Sequence, residues 1–95
     1  MQTYLVLGTF TDLGRRTIQD SSKRLDAVRK ALAQIGGNLV AFYLTMGAQD
    51  FVAVLEAPSD ETIIKYTLAV AAHGHVKVVV SRAFTEAEYR KLIKG

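Results

Sequence analysis

The chain has 95 residues, 12 basic and 9 acidic, giving a net charge of +3, with no cysteine and a single proline. That length makes one domain with a modest core, since a chain of this size buries only about 60–65% of its unfolded surface. Disulfides and thiolate metal sites are excluded, no apolar stretch approaches the ~18 residues of a membrane span, and +3 is too weak a charge to name a partner.

The N-terminus enters a strand pattern directly, with no basic segment ahead of an apolar block. This argues against a signal peptide and for a cytoplasmic protein. Thr3 to Phe10 reads as the first strand, with Leu5 and Leu7 on one face and Tyr4, Val6 and Phe10 on the other. Thr11-Asp12-Leu13-Gly14 is turn or short-helix chemistry. A helix is predicted from Asp20-Ser21-Ser22, where a short polar side chain can accept a free backbone N–H. Leu25, Val28, Leu32 and Ile35 form its buried stripe, and Gly36-Gly37 stops it.

Asn38 to Thr45 and Phe51 to Glu56 are the second and third strands, joined by a hairpin loop containing Gly47. Ser59 or Asp60 caps a second helix that runs to about His73 and stops at Gly74. Val76 to Phe84 is the fourth strand. Thr85 and Glu88 have the spacing of a capping box and open a short last helix, with Tyr89, Leu92 and Ile93 expected inward. The order βαββαβ plus a terminal helix predicts an α+β, ferredoxin-like sandwich with a four-stranded antiparallel sheet.

The most informative feature is that this sheet has two apolar faces. Val40, Phe42 and Leu44 oppose Leu39, Ala41 and Tyr43; Val52 and Val54 oppose Phe51, Ala53 and Leu55; Val76, Val78 and Val80 oppose Val79 and Ala83. A half-solvated sheet alternates apolar with polar, and two helices cover only one side. The other side exceeds the apolar patch a soluble monomer usually shows. A second copy packed sheet on sheet, as a dimeric α/β barrel, covers it. The 60–73 helix carries a similar message: Ile63, Ile64, Tyr66, Leu68, Val70 and Ala71 go nearly all round it. Its outer face meets either another chain or the terminal helix.

Chemistry is sparse. His73 and His75 have no third ligand at useful spacing, so neither a metal nor another cofactor is expected. Ser21, Ser22, Ser59 and Ser81 sit in no nucleophile motif, and the glycines form no phosphate-binding loop. Six basic residues between Arg15 and Lys30 are interleaved with Asp20 and Asp26, and the third strand lacks the basic-glycine-aromatic run of RNA-binding sheets. Both points argue against nucleic acid. Asp50 at the hairpin end is a candidate proton acceptor or a turn residue. Arg82 would bind an anion or pair with Asp50 or Glu56. Tyr4, Tyr43 and Tyr66 are candidates for lining a small apolar ligand site.

Tyr4, Thr11-x-x-Gly14, Lys23-Arg24-Leu25, Gly36-Gly37 and Phe42-Tyr43-x-x-Met46-Gly47 occur in that order. Asp50, Glu56-Ala57-Pro58, Asp60-Glu61, Arg82-Ala83-Phe84-Thr85 and Glu88 follow. With these residues the chain resembles the GYD-domain proteins over nearly its whole length. The resemblance implies a small ferredoxin-like protein, bacterial or archaeal, with no agreed biochemical activity. The signature departs here: Gly47 and Asp50 match, but Gln49 stands where the tyrosine belongs. The missing aromatic and the apolar 60–73 helix are also compatible with an engineered assembly surface. Two expectations follow. The first is a homo-oligomeric module, paired through the sheet face and open to a small apolar ligand. The second is a cofactor-free oxygenase or isomerase of the dimeric α/β barrel class, with Asp50, Tyr43, His75 and Arg82 as catalytic candidates.

Overall fold

A computed structural model describes all 95 residues. The elements are β1 (Gln2–Phe10), α1 (Asp12–Arg16), a 3-10 turn (Ile18–Asp20), α2 (Ser21–Gln34), β2 (Asn38–Leu44), β3 (Phe51–Ala57), α3 (Asp60–Ala72), β4 (Val76–Ala83) and α4 (Glu86–Lys94). The strands lie in the order β2-β3-β1-β4 with every neighbouring pair antiparallel. This is the ferredoxin-like α+β sandwich that the element order predicts, with α4 appended. β1 and β3 are central; β2 and β4 are the edges.

Alternation along β1 and β3 builds the core. Tyr4 pairs with Leu55, Val6 with Ala53 and Gly8 with Phe51, all on the helix-covered face. Leu32 of α2 and Ile63 of α3 close that face from above. Gly8 is required where it stands, because a Cβ there would overlap the tip of the Phe51 ring. The space it leaves lets Phe51 sit between Phe10 and Phe42, with ring centroids 5.5 and 5.4 Å away.

Local chemistry sets the ends of the elements. The Ser59 hydroxyl accepts from the Thr62 N–H, capping α3. Thr85 and Glu88 form the expected capping box, and the Thr85 N–H holds the Glu88 carboxyl below its usual range. Gly36 and Gly74 take φ of +81° and +77° and stop α2 and α3. Thr11 caps α1 by accepting from the Gly14 N–H, and its hydroxyl donates to the Gly74 carbonyl at 2.6 Å.

Several expectations fail for physical reasons. Asp20 makes no side-chain cap to α2, because the chain enters α2 from the 3-10 turn with Asp20 already helical. A register shift between Leu39 and Ala41 breaks strict alternation in β2, so Leu39 and Phe42 both pack on the core. Ile35, at the C-terminal end of α2, stays partly exposed rather than completing the buried stripe. Tyr89, Leu92 and Ile93 do not point inward: they are 56%, 63% and 66% exposed, and no residue of α4 is buried. The terminal helix therefore does not cover α3, where Ile64 and Leu68 are 57% and 66% exposed.

Candidate functional site

The face of the sheet opposite the helices is left uncovered. Strand register arranges it in rows. Tyr43, Val52, Leu7 and Val79 run across all four strands, and Ala41, Val54, Leu5 and Ser81 form the next row. Thr9 and Lys77 bound these rows at one end; Glu56, Thr3 and Asn38 bound them at the other. An apolar centre with a polar rim is the anatomy of a protein interface. Tyr43 and Val79, at the two edges, are each 62% exposed.

The surface area agrees. A compact monomer of 10.4 kDa exposes about 5,400 Å², whereas this chain exposes 6541 Å². The excess of roughly 1,100 Å² is shared between this face and α4, none of whose residues is buried, and it exceeds the ~800 Å² that one partner contributes to a standard interface. The radius of gyration, 14.1 Å, likewise exceeds the ~12 Å expected for this length.

The four catalytic candidates occupy different places. The Asp50 carboxylate accepts from the Phe10 N–H at 2.8 Å, its own N–H donates to the Gly8 carbonyl at 2.9 Å, and its carbonyl accepts from the Thr45 N–H at 2.9 Å. Asp50 thus clamps the β2–β3 hairpin to the end of β1. His75 lies at the same end, where its carbonyl accepts from the Thr11 N–H at 3.1 Å. Tyr43 lies on the open face, opposite Val52. Arg82 pairs with Tyr4 at the other end of β4, roughly 20 Å from Val76 at ~3.3 Å per residue. Asp50 and His75 share one end of the sheet; Arg82 is remote from both.

Arg82 does not pair with Asp50 or Glu56. Its guanidinium lies 4.5 Å from the Phe84 ring centroid and 4.0 Å from the Glu88 carboxylate, and donates to the carbonyls of Thr3 and Ala83. A carboxylate one turn into the following helix is reached more easily than one across the sheet. Gln49, at the signature position, contributes through its backbone: its carbonyl accepts from the Thr45 hydroxyl at 2.6 Å. Any residue can fill that role, so the missing tyrosine leaves the hairpin intact.

Tyr4, Tyr43 and Tyr66 do not line one cavity. Tyr4 is buried on the helix face, Tyr43 is on the open face, and Tyr66 lies between α2 and α3. The Tyr4 hydroxyl sits 2.5 Å from an Asp60 oxygen and 2.6 Å from the Gln2 amide oxygen. Burial, and then the Asp60 carboxylate, push its pKa up to about 12. Burial alone pushes Tyr66 up to about 12, and its hydroxyl has no hydrogen-bond partner. The Tyr4–Asp60 contact spans 56 positions, so no local pattern announces it.

Two predictions arise here. Asp50→Ala removes an acceptor from the Phe10 N–H and should cost about 1–3 kcal/mol in urea unfolding, while Asp50→Asn, which keeps an oxygen, should cost less. Equal losses would contradict the clamp. Folded Tyr4 and Tyr66 titrate above the ordinary phenol value of 10.0. Their contribution to stability is therefore complete below that pH and is lost as pH rises through about 12. The urea midpoint should fall over that interval as phenolate absorbance rises; a flat midpoint would contradict it.

The matching order of elements and motif residues defines a family, and the chain belongs to it: residues 4–93 match the GYD domain. A relative from Thermus thermophilus, the glutamine synthetase and cystathionine beta-lyase binding protein, is 35% identical over 89 residues, covering 93% of this chain and 94% of its own. A crystal structure of a protein from Thermus thermophilus covers 90% of this chain and 100% of its own at 19% identity, with a TM-score of 0.49.

Proposed function

We propose that the chain is a self-associating protein-binding module with no catalytic role of its own. Two copies pair through their open sheet faces as a dimeric α/β barrel, and the assembly presents its outer surfaces to other proteins. The observation that carries this reading is the two-row apolar patch with its polar rim. Glu56 at one end and Lys77 at the other suit a two-fold contact that reverses strand direction. The relative named as binding two enzymes supports the protein-binding part.

The alternative, a cofactor-free oxygenase or isomerase, needs acid, base and orienting groups around one reacting centre. Arg82 is held at the opposite end of the sheet from Asp50 and His75. The geometry of a single subunit therefore favours the binding module. A small apolar ligand would lie between the paired faces.

Native mass spectrometry of gently purified protein tests the pairing. An assembly built from pairs is the expected result, and added mass would identify a ligand held between the sheets. A monomer would overturn the reading. Titration with purified glutamine synthetase and cystathionine beta-lyase then asks whether this chain shares its relative's partners.

A further inference from the structure

Two apolar stripes remain on the outside of the subunit, away from the open sheet face. One is on α4, where Tyr89, Leu92 and Ile93 follow the i, i+3, i+4 spacing of a single helix face. The other is on α3, where Ile64 and Leu68 stand one turn apart. They do not meet within one subunit, where all five side chains stay more than half exposed. Only Phe84 and Thr85 separate β4 from α4, and Arg82 of β4 reaches Glu88 in the first turn of α4. That turn is held at the end of the sheet. Tyr89 to Ile93 begin immediately after it, and the outer surface of α3 stands at least a helix diameter, about 10–12 Å, above the sheet's side chains.

We propose that α4 docks on the α3 outer stripe of a second copy of this chain. The inference rests on the sheet-paired dimer above and extends it. In that dimer the α3 helices face outward, so the α4 contact joins one dimer to the next.

The two stripes suit each other. Antiparallel docking sets Leu92 and Ile93 against Ile64 of the partner subunit, and Tyr89 against Leu68 of the partner subunit. It also brings the basic C-terminal turn of α4, with Lys91 and Lys94, toward the acidic first turn of α3, where Asp60 bonds the Tyr4 hydroxyl and the exposed Glu61 would exchange its partner Lys65 for them. The helix dipoles then oppose one another as well. The capping box and the Glu86–Arg90 pair, at 2.8 Å, hold α4 helical before docking. Its ordering cost is therefore already met within the subunit.

The test uses full-length Leu92→Glu and Leu68→Glu, both at exposed positions, so the fold is not at stake. In native mass spectrometry the unmodified chain should form a species larger than a dimer. Each variant alone should lose that species and stop at the dimer. Mixing the two variants should restore larger species, because one supplies an intact α4 and the other an intact α3. A wild-type assembly that stops at the dimer, variants that keep the larger mass, or a mixture that restores nothing would each overturn the proposal. Variants that fall to monomers, and reassemble on mixing, would uphold the helix contact and instead overturn the sheet-face dimer.

Discussion

Val54→Lys is expected to leave the protein unable to pair through its sheet while the subunit stays folded. Val54 lies in the row with Leu5 and Ala41 on its two flanks, at the centre of the open face. The charges on that face, Glu56 and Lys77, are at its ends. An ammonium at position 54 would be drawn out of water in the dimer, and the one carboxylate near it on that face is Glu56, in the next row at the rim. The effective cost of such burial is several kcal/mol. At 1.4 kcal/mol per factor of ten, affinity should fall by about a thousandfold or more. In the free subunit the lysine's alkyl stem can lie along the patch with its ammonium in water, so folding is affected little. Sedimentation velocity should show half the wild-type mass or less, with unchanged far-ultraviolet circular dichroism. A variant with wild-type mass would place the self-association surface elsewhere.

Leu32→Ala is expected to give the largest loss of stability. Leu32 is completely buried and is the one α2 residue in a core of eight. Truncation removes its transfer energy and leaves a cavity that the sheet below cannot fill. Such changes cost about 2–5 kcal/mol. A domain of this length has a total stability of about 5–14 kcal/mol, so the loss is a large share of the whole. Urea unfolding should show a lower midpoint with little change in slope. A loss below about 1 kcal/mol would mean that α2 is anchored by other residues.

The features legible in the sequence are those that depend on neighbours in the chain. Strand alternation at Tyr4 and Val6, the glycine stops at Gly36 and Gly74, and the Thr85–Glu88 box all emerge as expected. The two apolar faces are legible too, because alternating runs of Val, Leu and Ala leave no polar side. What escapes depends on tertiary geometry. The bulge after Leu39 turns its side chain to the core, and no residue there marks it. An apolar stripe such as Tyr89, Leu92 and Ile93 implies a partner surface but does not say which molecule supplies it. The Tyr4–Asp60 bond joins residues distant in sequence. Gly14 reads as a turn glycine, yet its tighter constraint is the His75 carbonyl oxygen, which a Cβ at that position would overlap.

The candidate site is legible in kind rather than in detail. Asp50 reads as a proton acceptor or a turn residue, and its bonds to Phe10, Gly8 and Thr45 show it bracketing the hairpin. Arg82 is expected to meet an acid, and it meets Glu88 because the chain delivers that carboxylate to the same corner. The rows Tyr43–Val52–Leu7–Val79 and Ala41–Val54–Leu5–Ser81 need the strand order and register to become a surface.

Hydroxyl-radical footprinting of the intact protein tests the central claim most directly, because it reads burial of the sheet face residue by residue. Tyr43, Leu7, Val54 and Val79 should be labelled far less than the single subunit's exposure predicts, while Met46 and Leu13, outside the face, label freely. If Tyr43 and Val79 each label as fully as their exposure in the single subunit predicts, at concentrations where the protein is assembled, the open face is not the surface through which the copies meet.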